Sequence, residues 1–317
     1  MAITLTDNEF FTGLTNLALN MRLYATNTSR FADNFVDSFA TDTLASGNQK
    51  LFVFSELPSV GDYSETSSLL TVTKVDTNEE NIVVTEKKVV KSSFNKYILD
   101  MAFTSESGMN EFMGYLLGQM ESAKTSYIYN QIITDLFAKT FDNTENRKQL
   151  NEVTLIDETK ISDITQLNNA QIINQKRIYL AIQDVLQNIQ TYTNVYNKKK
   201  YMQALDVDDM RFVYCNPYAN EQVVNLFASL LKSEVIKDEF KTPITQIIPS
   251  IKIPDGKANV IGILMHKYAY QFFYKFTYMG SFFDVSNLCI NNFLHFWFGK
   301  GWLDNLPAVE FTVKTSA

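Results

Sequence analysis

Residues 104–141 read TSESGMNEFMGYLLGQMESAKTSYIYNQIITDLFAKTF and contain no proline. Apolar side chains recur in this stretch at helical spacing, first as a stripe of Met and aromatic residues and then as an Ile-rich stripe. Ser105 or Ser107 can cap the start, and Glu111 places a carboxylate near the positive end of the helix dipole. At 1.5 Å per residue, the stretch predicts a helix roughly 50 Å long, on which the other segments must pack. Gly114 and Gly118 are spaced to let another backbone approach one face.

The composition is that of a folded globular chain with an acidic balance. The chain has 317 residues, of which 45% are hydrophobic and 20% are charged, and its formal net charge is −7. Its five arginines are scattered, and the run Lys198-Lys199-Lys200 is explained by a solvated helix end. These features argue against a protein whose main task is to neutralise nucleic-acid phosphates.

Cysteine content and the chain ends indicate a protein made in a reducing cytosol. Cys215 and Cys289 both lie in apolar surroundings, so we expect buried thiols and no disulfide. The start, MAITLTDNEFF, has no basic segment and no small-residue cleavage site, so we expect no signal peptide. The uncharged run at 285–299 is short and polar, and no membrane span is predicted.

The segments before the long helix change from helical to strand periodicity. Residues 7–24 and 28–46 each carry one apolar face and are too short to fold alone, so each must dock in cis or on a neighbouring chain. Strands are predicted at 50–54, 69–75, 81–90 and 94–103, with a polar turn at Asp76-Thr77-Asn78-Glu79. Because these strands are rich in Thr, Lys and Glu, they predict a long exposed hairpin that requires a partner.

The remainder alternates helices and strands. A polar connection at 142–169 holds one short strand at 153–156, and a helix is predicted over 172–196 with Ile173 among its buried residues. Residues 210–215 read as a buried strand that stops at Asn216-Pro217, and a third helix follows. Pro243, Pro249 and Pro254 indicate a loop-rich link. Four aromatic strands follow at 258–265, 268–278, 290–298 and 309–313, typical of a well-packed sheet.

The sequence shows no constellation typical of a catalytic, cofactor-binding or metal site. It has no glycine-rich phosphate loop and no nucleophile elbow. His266 and His295 have no second ligand at metal spacing, so both are interpreted as structural histidines. The carboxylate pairs Asp208-Asp209 and Glu79-Glu80 lie in polar, turn-like stretches where solvation explains them. We therefore predict no site residues and no cofactor.

The order of elements resembles the major capsid protein of tailed bacteriophages, whose Hong Kong 97-like fold is shared with encapsulin shells. DYSETSSLLTVTKV (62–75) and KKVVKSSFNKYILDMAFTSESG (87–108) look like the family's extended E-loop running into the spine helix. Met210 to Pro217 is similar to the strand-then-helix step of the axial domain. NNFLHFWFGKGWLDNLPAVEFTV (291–313) looks like the C-terminal return.

This resemblance implies an α+β fold with five parts. They are an N-terminal arm (1–48), an extended β-hairpin or E-loop (49–103), a peripheral domain with the spine helix (104–170), an axial domain (171–290) and C-terminal strands that return to the peripheral domain (291–317). Two departures from the family are expected. No scaffolding prodomain precedes the arm, and no autocatalytic crosslink is predicted, because lysines exist on the E-loop (Lys74, Lys87, Lys88) but no partner asparagine or catalytic glutamate is identified.

The function implied by the resemblance is structural and not enzymatic. The chain would assemble with itself, as hexamers and pentamers, into an icosahedral shell around double-stranded DNA, in the bacterial cytoplasm and then in the virion. Further implied partners are a portal, scaffolding or decoration proteins, and the packaged DNA through weak non-specific contact; no membrane or small-molecule substrate is implied. Three alternatives stay open: an encapsulin-like compartment, a tail or connector protein, and a soluble α/β enzyme that would use His266 and His295.

Overall fold

The computed structural model describes residues 30–40, 48–60, 74–95, 106–144, 147–215 and 244–315. The amphipathic segment predicted at 7–24 and the helix predicted after Pro217 lie outside these residues, as do almost all of the strand at 69–75 and most of the strand at 94–103. In the described part of the chain, no helix combines the length and apolar character needed to cross a bilayer.

The described residues form a mixed α+β structure of three α-helices and nine strands, and six of the strands follow the last α-helix in the chain. The helices are α1 (Arg30–Phe39), α2 (Glu106–Ala138) and α3 (Ile164–Gln190). The strands are β1 (Gln49–Ser55), β2 (Thr77–Asn95), β3 (Leu150–Leu155), β4 (Met210–Cys215), β5 (Ile244–Ile248), β6 (Val260–His266), β7 (Tyr270–Asp284), β8 (Cys289–Trp302) and β9 (Ala308–Thr315).

The chain divides into two compact units. The first contains the described residues within Met1–Lys50, Ile82–Thr134 and Phe272–Lys300, and the second contains those within Leu51–Asn81, Asp135–Gln271 and Gly301–Ala317. A four-stranded sheet has the order β1-β2-β8-β7, and a five-stranded sheet has the order β3-β9-β6-β4-β5. Within the described ranges, β1 and β7 are therefore the edge strands of the four-stranded sheet.

In the first unit, α1 packs on the long helix α2. Phe35, Val36 and Phe39 of α1 are buried, and the ring of Phe35 meets the ring of Tyr129 edge-on at 5.0 Å between centroids. The segment predicted at 28–46 therefore docks within its own chain. The Ile-rich stripe of α2 is buried as predicted, since Ile128 and Ile132 have no exposed surface.

In the second unit, α3 covers one face of the five-stranded sheet. The shared core joins Ile178, Ile182 and Leu186 of α3 to Phe212 of β4 and Phe311 of β9. β4 and β5 run parallel, as do β3 and β9, whereas β6 is antiparallel to both β4 and β9. Gly262 of β6 allows this close packing, because an added Cβ would lie 2.5 Å from both the Phe212 ring and the Val213 carbonyl oxygen.

Several predicted element boundaries are wrong. The helix predicted over 172–196 runs from Ile164 to Gln190, because the Asp163 side chain accepts hydrogen bonds from Thr165 N and Gln166 N and caps the earlier start. The turn predicted at 76–79 is wrong as well: β2 begins at Thr77 and runs to Asn95, pairing with β1 and then with β8, with one register shift between Val84 and Glu86.

Further local predictions also need comment. Ile173 is 41% exposed, not buried, and the proline-rich link contains strand β5. Cys215 is buried as predicted, but Cys289 is only partly buried. Apart from the adjacent backbone of α2 itself, no described atom lies within 4 Å of a Cβ placed on Gly114 or Gly118, so no other backbone of the described chain approaches these glycines.

Candidate docking surface

The four-stranded sheet has one buried face and one open face, and the difference is clearest along β8. Alternate residues of a strand point to opposite faces. On one face of β8 the side chains are buried (Asn292, Leu294, Phe296, Phe298), and on the other they are only partly buried (Asn291, Phe293, His295, Trp297). All the residues between Cys289 and Phe298 are paired to β2, so this alternation reflects a regular ladder.

The buried face packs on α2. The ring of Tyr127 meets Phe296 and Phe298 edge-on, with centroids 6.2 and 6.4 Å apart. Lys88 lies over the same Tyr127 ring at 5.6 Å and forms an ion pair with Glu86 at 3.1 Å. The hydrogen bond to Glu86 and the contact with Tyr127 raise the pKa of Lys88. The charges on this side of β2 are thus already paired.

The open face carries aromatic rings and cations side by side, and we call it the aromatic–lysine face. Its members are Lys87, Val89 and Lys91 of β2, Phe276, Tyr278 and Phe282 of β7, and Phe293, His295 and Trp297 of β8. The antiparallel register places Lys87 opposite Trp297, Val89 opposite His295, and Lys91 opposite Phe293.

Ring contacts connect the three strands across the aromatic–lysine face. Lys87 Nζ lies 4.8 Å from the centroid of the Trp297 ring, and Phe276 lies 5.1 Å from the same ring. Phe276 also stacks on Tyr278 at 6.1 Å, which places Tyr278 on this face. These contacts join Lys87, Phe276, Tyr278 and Trp297 into one cluster across the sheet.

The outer part of the aromatic–lysine face is apolar and exposed. Tyr278 is 58% exposed and Phe282 is 64% exposed. Phe282 belongs to this face because the neighbouring Ser281 hydroxyl donates to Asn292 Oδ1 on the buried side, at 2.6 Å. Residues 87–95, 276–282 and 289–297 include no Asp or Glu. The surface is therefore apolar with a positive charge, in a chain whose net charge is −7.

A second unusual surface is the base of the hairpin formed by β1 and the start of β2. We call residues 51–60 and 74–81 the ribbon. The Glu56 amide donates to the Asp76 carbonyl oxygen at 2.9 Å, which pairs the two chain segments. Leu51, Val53 and Leu57 are each more than half exposed, and the carboxylates of Glu56, Asp76 and Glu79 lie on exposed residues. The ribbon is thus apolar with a negative charge, and among the strands that the structure describes β1 lies at the edge of its sheet.

The residues considered for chemistry do not come together. Within the described ranges, no three His, Cys, Asp or Glu side chains are grouped as a metal site requires. His266 is buried at the end of β6, and its Nδ1 accepts a hydrogen bond from the Tyr268 amide at 3.2 Å. Burial lowers the pKa of His266 to about 4, against the opposing effect of Asp209. His295 lies instead on the aromatic–lysine face, stacked on Phe293 at 6.3 Å.

The second unit also contains a cleft of about 440 Å³ between β3 and α3. Its charged lining residues are of both signs, Arg147 and Lys148 against Glu152 and Asp184. Such a balanced lining indicates no particular ligand.

The aromatic–lysine face was not predicted from the sequence. Aromatic residues at 268–298 predicted a packed sheet with large burial, which is confirmed for the Phe296 side but not for Tyr278 and Phe282. The available signal was the spacing of Lys87 and Lys91. In a strand, residues four positions apart point to the same face, here the face opposite the one to which Lys88 points. It could be used only once the pairing of β2 with β8 was known.

Comparison with known proteins gives a match along nearly the whole chain. The family model described as Phi29-like phage major capsid protein matches residues 6–312. None of the curated proteins matches the chain in sequence.

Solved structures resemble the chain in fold although their sequences have diverged widely. The capsid structure of Staphylococcus phage Andhra matches with a TM-score of 0.58 at 8% identity, covering 87% of this chain and 83% of that one. The capsid structure of the Cyanophage P-SCSP1u matches with a TM-score of 0.52 at 14% identity, covering 89% and 88%. The capsid of an empty GTA particle matches with a TM-score of 0.52 at 10% identity, covering 89% of each chain.

Proposed function

The chain belongs to the Phi29-like phage major capsid protein family, and from that premise we propose that it builds the head shell as hexamers and pentamers of itself. As a member of this family it is a virion structural protein, located in the capsid. The observation that carries the proposal is the extent of the match, residues 6–312, because it assigns nearly the whole chain, and not one segment of it, to the family.

The exposed apolar surfaces support assembly through contacts between copies. A soluble monomer rarely exposes large contiguous apolar patches, yet the ribbon and the aromatic–lysine face both expose such side chains. Burying surfaces of this kind between copies is the usual source of stability in closed symmetric assemblies. A chain that contributes several separate surfaces can contact several neighbours at once, as a shell requires.

We further propose the Hong Kong 97-like arrangement for this chain. In that arrangement, residues 1–48 form an N-terminal arm, 49–103 an E-loop, 104–170 a peripheral domain around α2, 171–290 an axial domain, and 291–317 the C-terminal strands. The long helix α2 and the paired strands β1 and β2 support the spine and the E-loop of this scheme. These boundaries stay predictions.

The proposed partners beyond the chain itself are a portal, scaffolding or decoration proteins, and the packaged double-stranded DNA. A net charge of −7 favours a wall that contacts DNA weakly and without sequence preference, because counterions can neutralise the phosphates. No catalytic role, cofactor, small-molecule substrate, membrane contact or covalent crosslink is proposed. The encapsulin-like alternative is not favoured, since the matched family is a phage capsid family.

Electron microscopy of the recombinant chain tests this function. The chain should be expressed alone and together with the products of its neighbouring genes, and the particles should be purified by sedimentation. We expect closed shells with five-fold vertices. Rings or tubes would indicate a tail or connector protein, and a compact monomer under every condition would contradict the proposal.

A further inference from the structure

We propose that the side chains of Asn143, Asn174 and Arg177 close the outer edge of strand β3 against pairing with any further strand. Among the residues that the structure describes, β3 is the last strand on one side of the five-stranded sheet. An open edge presents backbone N–H and C=O groups that can pair with another chain and start aggregation. All of these residues belong to the second unit, and the proposal does not depend on the shell function.

The pairing of β3 with β9 shows which backbone groups of β3 face away from the sheet. The two strands are parallel, and the Glu310 amide on β9 donates to the carbonyl oxygen of Gln149, just before β3, at 2.8 Å. Successive residues of a strand direct their backbone groups to alternate sides within the sheet. The groups at positions 151, 153 and 155 therefore face β9, and those at 150, 152, 154 and 156 face the outer edge.

Two asparagine side chains cover the ends of this outer edge. Asn143 Oδ1 accepts from the Leu150 amide at 2.9 Å, and Asn143 Nδ2 donates to the Leu150 carbonyl oxygen at 2.7 Å. Asn143 Oδ1 also accepts from the Gln149 amide at 2.9 Å. Asn174 binds both backbone groups of Ile156 in the same way, at 2.7 and 3.0 Å. Each carboxamide thus makes the two hydrogen bonds that an added strand would make.

The two positions between these amides are covered by charged side chains. Arg177 Nη1 donates to the Thr154 carbonyl oxygen at 2.9 Å. Glu152 places a carboxylate at the remaining position, and it pairs with Lys314 of β9 at 3.1 Å. A charge on an edge strand opposes pairing with another strand, since pairing would remove that charge from water. Every outward-facing position from 150 to 156 therefore has either a side-chain hydrogen bond or a charge.

Burial of the backbone does not explain the bonds made by Asn143 and Arg177. Asn143, Arg177 and Thr154 are exposed, so water could bind the same backbone groups. A side-chain hydrogen bond that replaces a bond to water adds little to the free energy of folding. It does occupy the sites that a second strand would use. Protection of the edge explains these two side chains better than a contribution to folding does.

Removal of the two exposed caps tests the proposal. The variant N143A/R177A opens the edge of β3 on the full chain. The matched control is K176A/N188A, which removes the same charge from α3. It also removes an exposed asparagine–backbone hydrogen bond, from Asn188 Nδ2 to the Asp184 carbonyl oxygen at 2.8 Å, and leaves β3 unchanged.

A lysine added to the opened edge supplies the decisive comparison. N143A/R177A/T154K places it on β3, and N143A/R177A/Q187K places it on the exposed side of α3. Each unassembled chain is incubated at a temperature at which circular dichroism shows it to be folded. Light scattering and thioflavin T fluorescence measure aggregation, and urea unfolding measures stability. Electron microscopy separates aggregates from closed shells, so the result does not depend on whether wild type assembles.

We expect N143A/R177A to aggregate about tenfold or more faster than K176A/N188A, with a rise in thioflavin T fluorescence, because strands can now add to β3. T154K should return the rate close to that of wild type, since a lysine on an edge strand opposes pairing. Q187K should leave the rate high. A lysine at 154 replaces neither of the lost hydrogen bonds, so rescue by T154K alone identifies the edge as the cause.

Two results would overturn the proposal. If N143A/R177A stays as soluble as its control, the edge is closed without these side chains. If its aggregation follows a lowered unfolding midpoint and persists with T154K, the caps stabilise the fold and do not protect the edge.

Discussion

Gly299 on β8 lies directly against the ring of Phe273 on β7. A Cβ added at Gly299 would come within 2.5 Å of Phe273 Cζ and 3.1 Å of the Val83 carbonyl oxygen, so the position has no room for a side chain. Because glycine has no side chain, both the buried ring of Phe273 and the backbone of β2 can pack closely against β8 at this position. Substitution must push the ring of Phe273, which is fully buried, or the strand β2.

The first prediction is that Gly299→Ala destabilises the unassembled chain by about 1–3 kcal/mol, the usual cost of overpacking a core. Urea unfolding followed by tryptophan fluorescence measures this change. The matched control is Gly114→Ala on α2, where the added methyl group meets no described atom within 4 Å apart from the adjacent backbone of the helix itself. Because alanine favours a helix over glycine by about 0.5–1 kcal/mol, that variant should be more stable than wild type. Equal destabilisation of both variants would contradict the packing argument.

How far the sequence predicts this fold depends on whether local or distant residues determine each element. The helix α2 was predicted within three residues at each end, because its apolar stripe repeats over many turns and no proline interrupts it. The start of α3 was missed, although a capping signal was present, since Asp163 is followed three positions later by Gln166. It was missed because the residues between this cap and the predicted start at 172 show no apolar stripe.

Strand β2 shows why other features could not be predicted. Asp76 to Glu79 have turn-like composition, yet β2 begins at Thr77 because pairing with β1 satisfies its backbone. The aromatic–lysine face depends on this same pairing, since Lys87 meets Trp297 only through a register between segments some 200 residues apart. Local composition contains no information on that register.

The second prediction concerns a hydrogen bond in the core of the second unit. Tyr270 is 1% exposed, and its hydroxyl donates to Asp135 Oδ2 at 2.8 Å. Burial, together with this carboxylate, raises the pKa of Tyr270. Tyr270→Phe keeps the ring contact with Trp302 but leaves the carboxylate without this donor, so we expect a loss of about 1–3 kcal/mol in the free energy of unfolding.

The control for that prediction is Tyr268→Phe. Tyr268 is 45% exposed, and its contacts with His266 and Lys267 are made by the ring, which phenylalanine retains. Its unfolding free energy should stay within about 0.5 kcal/mol of wild type. If the two variants lose the same stability, the hydrogen bond to Asp135 contributes nothing.

The third prediction is a pH dependence that originates at His266. Burial lowers the pKa of His266 to about 4, from 6.5 in an unfolded chain. Between these values the unfolded state binds a proton that the folded state does not, so stability is fully present above pH 6.5 and falls as the pH drops toward 4. The shift corresponds to about 3 kcal/mol. The charged groups facing His266 are Asp209, Lys267 and Arg211, and Asp209 stays ionised in this window because Lys267 lowers its pKa.

His266→Asn removes the titration and can retain a side-chain acceptor for the Tyr268 amide. The unfolding free energies of wild type and variant should be measured in urea at several values between pH 6.5 and pH 4. We expect the difference between them to shift by about 3 kcal/mol in favour of the variant as the pH falls through this range. Parallel pH profiles would show that His266 takes up its proton equally easily in both states.

The fourth prediction separates stability from assembly on the aromatic–lysine face. Tyr278→Ser removes a ring that is 58% exposed and contacts Phe276, so the unassembled chain should lose less than about 1 kcal/mol. Shell yield should nevertheless fall severalfold, because an aromatic side chain central to an interface contributes about 2 kcal/mol or more to binding. The control is Ile251→Ser, since Ile251 is 88% exposed but lies outside the face. Its yield and its stability should both match wild type, and a similar fall in yield for both variants would mean that lost surface apolarity alone, not docking on this face, limits assembly.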